Sequence, residues 1–172
     1  MATNMASVCA MGLSNLRPCA SVVSYKTLDK TDDVINTGGG SFLGDEVYAG
    51  KGDDRVVDDG SIFLADGGDG TDTLAVASNG QNLILDVFDT YSNFEEIDLR
   101  GLGNNTLTVF TNMVNDFTSA SGIAGTITVH GDVGDTVDVS IDFTLQGNNG
   151  TFSTYANLGG ETLIISNDIN VI

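Results

Sequence analysis

Ala49-Gly50-Lys51-Gly52-Asp53-Asp54 and Gly67-Gly68-Asp69-Gly70-Thr71-Asp72 are two glycine–aspartate turns ending 18 residues apart, and their spacing decides the fold. The second, read through Ala75, fits the nine-residue pattern G-G-x-G-x-D-x-U-x at every position. The first, read through Val57, departs only in having Ala49 at its first place. Aligning Asp45, Asp54 and Asp72 gives separations of 9 and 18, with Phe63 in the skipped register. Two residues after each of these positions stands an apolar side chain: Val47, Val56, Ala65 and Leu74. Nine residues supply one tight turn and one short strand, so two units make a coil of 18 and turns two units apart stack on one edge.

That stacking brings carboxylates together. Parallel strands lie about 4.8 Å apart, so Asp54 and Asp72 are expected at about that separation. Two charges there repel by about 1–3.5 kcal/mol for effective dielectrics of 80 to 20. Calcium takes six to eight hard oxygen ligands in a forgiving geometry, and two aspartates plus turn carbonyls supply such a set. Glycine permits the left-handed backbone angles that turn carbonyls toward an ion. The expected metal positions are therefore Asp54 and Asp72, with Gly50, Lys51 and Gly52 from one turn and Gly68, Asp69 and Gly70 from the other. Asp45 is a further candidate, although its turn, residues 40–45, lacks glycine at the fourth place. The alternative for all of these acids is a solvated turn with no ion. Because the strands are short and the acids crowded, folding is expected to be coupled to calcium. An ion at about 100 times its dissociation constant adds roughly 2.7 kcal/mol.

Outside the repeats the chain reads as all-β. Short apolar runs, Leu83-Ile84-Leu85, Leu107-Thr108-Val109, Ile127-Thr128-Val129, Val137-Asp138-Val139 and Leu163-Ile164-Ile165, alternate with Gly/Asp/Asn turns. Only Met113–Phe117 suggests a helical turn. Three segments follow: an irregular 1–30, repeats over 31–75, and a β-rich cap over 76–172, the whole being a short parallel β-roll followed by a solenoid- or sandwich-like end.

Charge supports the division. The chain has 24 Asp and Glu against 6 Lys and Arg, a net of −18. Beyond residue 30 there are 23 acids against Lys51, Arg55 and Arg100, and eleven of the acids fall between Asp32 and Asp72. Such a field disfavours nucleic acid and anionic membranes and attracts cations. No run approaches the 18 or so apolar residues of a membrane span. Cys9 and Cys19 either bridge each other or stand as unpaired thiols, the latter being the simpler reading. The N-terminus lacks the basic start of a secretory signal, and Asn15, Arg17 and Pro18 interrupt its apolar run.

Signatures of catalysis are missing from the sequence. His130 is the single histidine, which excludes a His-rich zinc site or an H-E-x-x-H helix, and it is expected to end the Ile127–Val129 strand. There is no G-x-S-x-G elbow and no phosphate loop. Glu95-Glu96 as a glycosidase pair fails because neighbours on a strand face opposite ways. Gly131-Asp132-Val133-Gly134-Asp135 resembles the repeat turn with its acids at the wrong offset.

The repeat block, with Asn93-Phe94-Glu95-Glu96-Ile97-Asp98-Leu99-Arg100-Gly101-Leu102-Gly103-Asn104-Asn105-Thr106-Leu107-Thr108 and Gly160-Glu161-Thr162-Leu163-Ile164-Ile165 downstream, resembles RTX proteins, in particular the C-terminal region of large repetitive bacterial adhesins. The resemblance covers roughly residues 30–172. It implies Ca2+ as cofactor, folding outside the cell after export by type I secretion machinery, and a secreted or cell-surface, non-enzymatic, adhesin-like module whose adhesion target is unspecified. The apolar and acidic end, Leu163 to Ile172, has the character of the uncleaved export signal of such proteins. The alternative it implies is the calcium-binding C-terminal module of an RTX protease or lipase. The chain departs from the family in having two good repeats where tandem arrays are usual.

Overall fold

The computed structural model describes residues 24–26, 31–37, 45–85, 90–101, 103–110, 113–118, 125–139 and 142–172. Cys9 and Cys19 lie outside them. Of the segment 1–30, residues Ser24–Lys26 are described, and they form strand β1.

Each glycine–aspartate turn ends one short strand and starts the next. Through the repeats these are β2 (Val34–Asn36), β3 (Asp45–Lys51), β4 (Arg55–Asp58), β5 (Ile62–Asp69) and β6 (Thr73–Val76). The cap continues with β7 (Asn82–Leu85), β8 (Tyr91–Ser92), β9 (Glu96–Asp98) and β10 (Thr106–Val109). Among the described residues one helix, α1 (Met113–Phe117), lies where one helical turn is expected. After it come β11 (Thr126–His130), β12 (Thr136–Val139), β13 (Thr144–Asn148), β14 (Phe152–Ala156), β15 (Thr162–Ser166) and β16 (Asn170–Val171). The fold is all-β.

The strands form three sheets ordered β1-β3-β5-β8, β16-β12-β10-β7 and β13-β14-β15-β11-β9-β6-β4-β2. Pairing is parallel throughout the first two, and in the third from β2 to β15. Arg55 pairs with Thr73, a return of 18 residues, as the repeat phase requires. Later returns lengthen: Thr73 pairs with Glu96, Glu96 with Thr128, and Thr128 with Ile164. Beyond β15 the eight-stranded sheet finishes as an antiparallel hairpin, β13–β14.

In-register parallel pairing places like side chains in lines. Ile35, Val56, Leu74, Ile97, Val129 and Ile165 are successive partners on the inner face of the large sheet. All six are buried in one core, which also takes in Val47, Ala65, Leu83, Leu107 and Val137 from the other two sheets. Phe94 and Phe117, with ring centroids 5.6 Å apart, join α1 to that core. Because β6 pairs with β9, repeats and cap share both a sheet and a core across residue 75.

One register differs from the nine-residue phase. Asp45 pairs with Ile62 and Glu46 with Leu64, so Phe63 is the extra residue of a bulge. Its ring is 65% exposed. An aromatic side chain in the skipped ligand register takes the strand out of step, and Asp45 has no aspartate opposite it.

Ile97, fully buried between Leu74 and Val129, is expected to dominate the central rung. Ile97→Ala should cost about 2–5 kcal/mol in urea denaturation. Ile84→Ala, on the outer face at 42% exposure, should cost clearly less.

Candidate functional site

A short parallel strand leaves the N–H just ahead of it without a ladder partner at the corner, and a buried N–H must be bonded somewhere. Along one corner of the large sheet this is solved by acids. Asp33, Asp54, Asp72 and Glu95 each immediately precede a strand, β2, β4, β6 and β9 in turn. The Asp33 N–H donates to Asp54 Oδ1 at 2.8 Å, the Asp54 N–H to Asp72 Oδ1 at 2.7 Å, and the Asp72 N–H to Glu95 Oε2 at 2.8 Å. Main-chain bonds run the other way, from the Thr73 N–H to the Asp54 carbonyl at 2.8 Å and from the Glu96 N–H to the Asp72 carbonyl at 3.0 Å. Each rung is thus tied to the next twice.

A second series lies one residue earlier. The Asp53 N–H donates to Asp32 Oδ1 at 3.0 Å, and the Thr71 N–H to Asp53 Oδ1 at 2.8 Å. These side chains are exposed, whereas Asp54, Asp72 and Glu95 are buried. The inner column uses one oxygen of each carboxylate. Asp54 Oδ2, Asp72 Oδ2 and Glu95 Oε1 are buried with no hydrogen-bond donor.

Electrostatics follow from that burial. Desolvation pushes the Asp72 carboxyl up to about 7, the charges of Asp54, Glu95 and Asp53 add to the rise, and the bond from the Asp54 N–H opposes it. Asp54 is raised for the same reasons, burial first, with Asp33, Asp32 and Asp53 as its charged neighbours.

The glycine turns stack as the spacing requires. Gly50 lies beside Gly68, and Lys51 beside Asp69. A Cβ on Gly68, at φ 99°, would overlap the Gly50 carbonyl, and one on Gly70 would overlap that of Gly52. The turns approach too closely for any other residue. The Gly52 N–H donates to the Asp69 carbonyl at 2.9 Å, and the exposed Lys51 and Asp69 side chains form an ion pair.

The sequence-expected residues therefore divide. Asp54 and Asp72 are brought together with the turns of Gly50, Gly52, Gly68 and Gly70, while Lys51 and Asp69 neutralise each other outside. Asp45 starts β3, away from this corner. Glu95, which the repeat pattern does not reach because no glycine precedes it, is the third member of the column. Glu95 is 5% exposed while the Glu96 side chain is 37% exposed, consistent with neighbours facing opposite ways. Asp135, in the near-repeat turn, accepts from the Asn105 N–H on Oδ1 and the Asp132 N–H on Oδ2, both at 2.8 Å. His130 ends β11 and lies 3.6 Å from Glu96.

Family models, curated proteins and solved structures give no match to this chain.

A hard divalent cation suits the inner column on chemistry: buried anionic oxygens, each bonded on one side and without a donor on the other. Among the described residues no three His, Cys, Asp or Glu side chains converge as a ligand set. The remaining ligands of such an ion would come from main-chain carbonyls or water.

Metal-free protein should respond to pH through Asp72. Its folded pKa of about 7 lies above its ordinary 3.8, so the fold prefers the protonated form. That contribution to stability is complete below about pH 4 and is lost as pH rises through 7. The melting midpoint of metal-stripped protein should therefore be higher at pH 5 than at pH 8, and Asp72→Asn should shrink the difference. Asp98, whose pKa is lowered, acts in the opposite sense only below about pH 4.

Proposed function

We propose that this chain is a calcium-stabilised, non-enzymatic β-solenoid module. Residues 31–75 form a short parallel β-roll of RTX type, and residues 76–172 form its β-rich cap. What carries the reading is the pair Asp54 and Asp72: buried, one rung apart, 18 residues apart in sequence, each with one oxygen lacking a donor.

Calcium would be held by the Asp54 and Asp72 carboxylates together with carbonyls of the turns Gly50-Lys51-Gly52 and Gly68-Asp69-Gly70. When bound, the ion supplies the positive charge that this corner lacks. Among the described residues, the ion pairs of Lys51, Arg55 and Arg100 are made with Asp69 and Asp98, not with the column. The protein's own groups do the rest. Glycine turns allow close stacking, main-chain N–H groups hold one oxygen of each carboxylate in place, and the line from Ile35 to Ile165 fixes the rung register.

This reading fits export. Extracellular modules bind calcium at about 10⁻⁴–10⁻³ M, so a chain of this kind stays loosely folded where free calcium is scarce and closes where it is plentiful. We infer that the chain is a secreted or surface-exposed, adhesin-like bacterial module, passed by type I secretion machinery.

Circular dichroism and thermal melting in EDTA and in millimolar calcium check the proposal. Calcium should raise the melting midpoint, by an amount corresponding to roughly 2.7 kcal/mol at about 100 times the dissociation constant. Asp72→Ala should abolish the strongest heat of calcium binding in titration calorimetry. Identical melting with and without calcium, or unchanged binding by the variant, would sink the reading.

A further inference from the structure

The corner column extends beyond the repeats. Glu95 stands ahead of β9 as Asp72 stands ahead of β6, but the return between them is 23 residues, and the preceding turn, Ser92-Asn93-Phe94, has no glycine. Asn93 supplies the left-handed angle instead, at φ 59°. From this different turn the longer glutamate side chain reaches the same place, its Oε2 accepting the Asp72 N–H at 2.8 Å. Its other oxygen, like Asp72 Oδ2, is buried without a donor.

A comparison inside the molecule gives this weight. A second corner stack, on the sheet of β7, β10 and β12, uses the same device: Asn105 Oδ1 accepts the Gln81 N–H at 3.0 Å, and Asp135 Oδ1 accepts the Asn105 N–H at 2.8 Å. There the two capping side chains are one amide and one carboxylate, and the second oxygen of Asp135 accepts the Asp132 N–H. That stack completes its own hydrogen bonds. The acidic column has the same capping geometry yet leaves one oxygen open on each of three successive rungs. An open buried oxygen is costly, more so when charged, so a corner built only for capping would be expected to resemble the Asn105–Asp135 stack.

We propose that Asp72 and Glu95 form a second divalent-cation site, one rung beyond the Asp54–Asp72 pair, with Asp72 shared between two calcium-class ions. The proposal rests on the reading of the column as a calcium site and extends it past the last glycine repeat. Glu95 then stabilises the junction at which the β-roll gives way to the cap.

Calorimetric titration of the full chain with calcium, alongside Asp54→Asn, Glu95→Gln and Glu95→Asp, tests it. Glutamine keeps an acceptor for the Asp72 N–H, and circular dichroism checks that the variant folds. Glu95→Gln should bind one calcium fewer per chain than the wild type. Asp54→Asn should also lose one ion while keeping the one that depends on Glu95. Glu95→Asp, one methylene shorter with the charge kept, should weaken that ion tenfold or more and leave the other unchanged. If the wild type binds calcium and Asp54→Asn loses an ion, but both Glu95 variants match the wild type in number and affinity, the second site is overturned and the first stands. A wild type that binds no calcium overturns both.

Discussion

The parallel stacking of very short strands in register governs this structure. Strands of two to eight residues cannot stand alone. Each gains its partners only when the chain returns to the same sheet, and each return leaves an N–H exposed at the corner. Here the next rung's side chain caps that N–H, so the rungs are held by side chain as well as by main chain. The device fixes what may stand ahead of a strand: a short acceptor reaching one rung back. Aspartate, asparagine and glutamate fill the role. Where aspartates recur at 18 residues, the capping groups become a line of carboxylates in a nearly dry corner, and the electrostatic problem of the molecule follows from its hydrogen bonding.

Much of this was legible in the sequence because two periods coincide. Val47, Val56, Ala65 and Leu74 sit two residues past each turn position and are all fully buried. The 18-residue phase places Arg55 opposite Thr73 and Gly50 opposite Gly68. The apolar triplets of the cap became β7, β10, β11, β12 and β15, and Met113–Phe117 became the helix. What the repeat did not reveal lies where the period fails. Phe63 has the right count but the wrong chemistry, and the strand bulges around it. Glu95 follows returns of changing length, so spacing could not find it, although an acid directly before an apolar strand residue was a usable signal. The β13–β14 hairpin is polar and exposed along β13, so apolar periodicity missed it.

Buried carboxylates show best how the molecule sorts its charge. Asp98, 5% exposed, lies against Arg55 Nη1 at 2.8 Å and Arg100 Nε at 2.7 Å. Burial alone would raise its pKa, yet bonds from Arg100 and Arg55 outweigh burial and hold the carboxyl below its usual range. Asp58 is compensated without cations, by the Gly60 N–H on one oxygen and by Gln81 Nε2 and the Tyr91 hydroxyl on the other. Asp135 is likewise bonded on both oxygens. Asp59 Oδ1 accepts from Thr37 and Ser61, and Asp66 Oδ1 from Asn93.

Asp54, Asp72 and Glu95 use neither solution. Their bonded oxygens are held as firmly as those of Asp58 and Asp135, so poor packing does not account for the open ones. Charge repulsion along the column runs in the direction that burial also pushes, and for Asp72 the two together lift the carboxyl to about 7. Near neutral pH a proton can relieve only part of that strain, since it neutralises one group at a time and offers a single bond. A divalent cation neutralises two neighbours together and accepts oxygens from both rungs, matching the spacing that parallel pairing imposes. Net charge alone made the acidic half of the chain look like a diffuse cation-attracting surface. The contrast among its buried acids narrows the proposed cation to one corner, because among the described residues only Asp54, Asp72 and Glu95 keep a buried carboxylate oxygen without a donor.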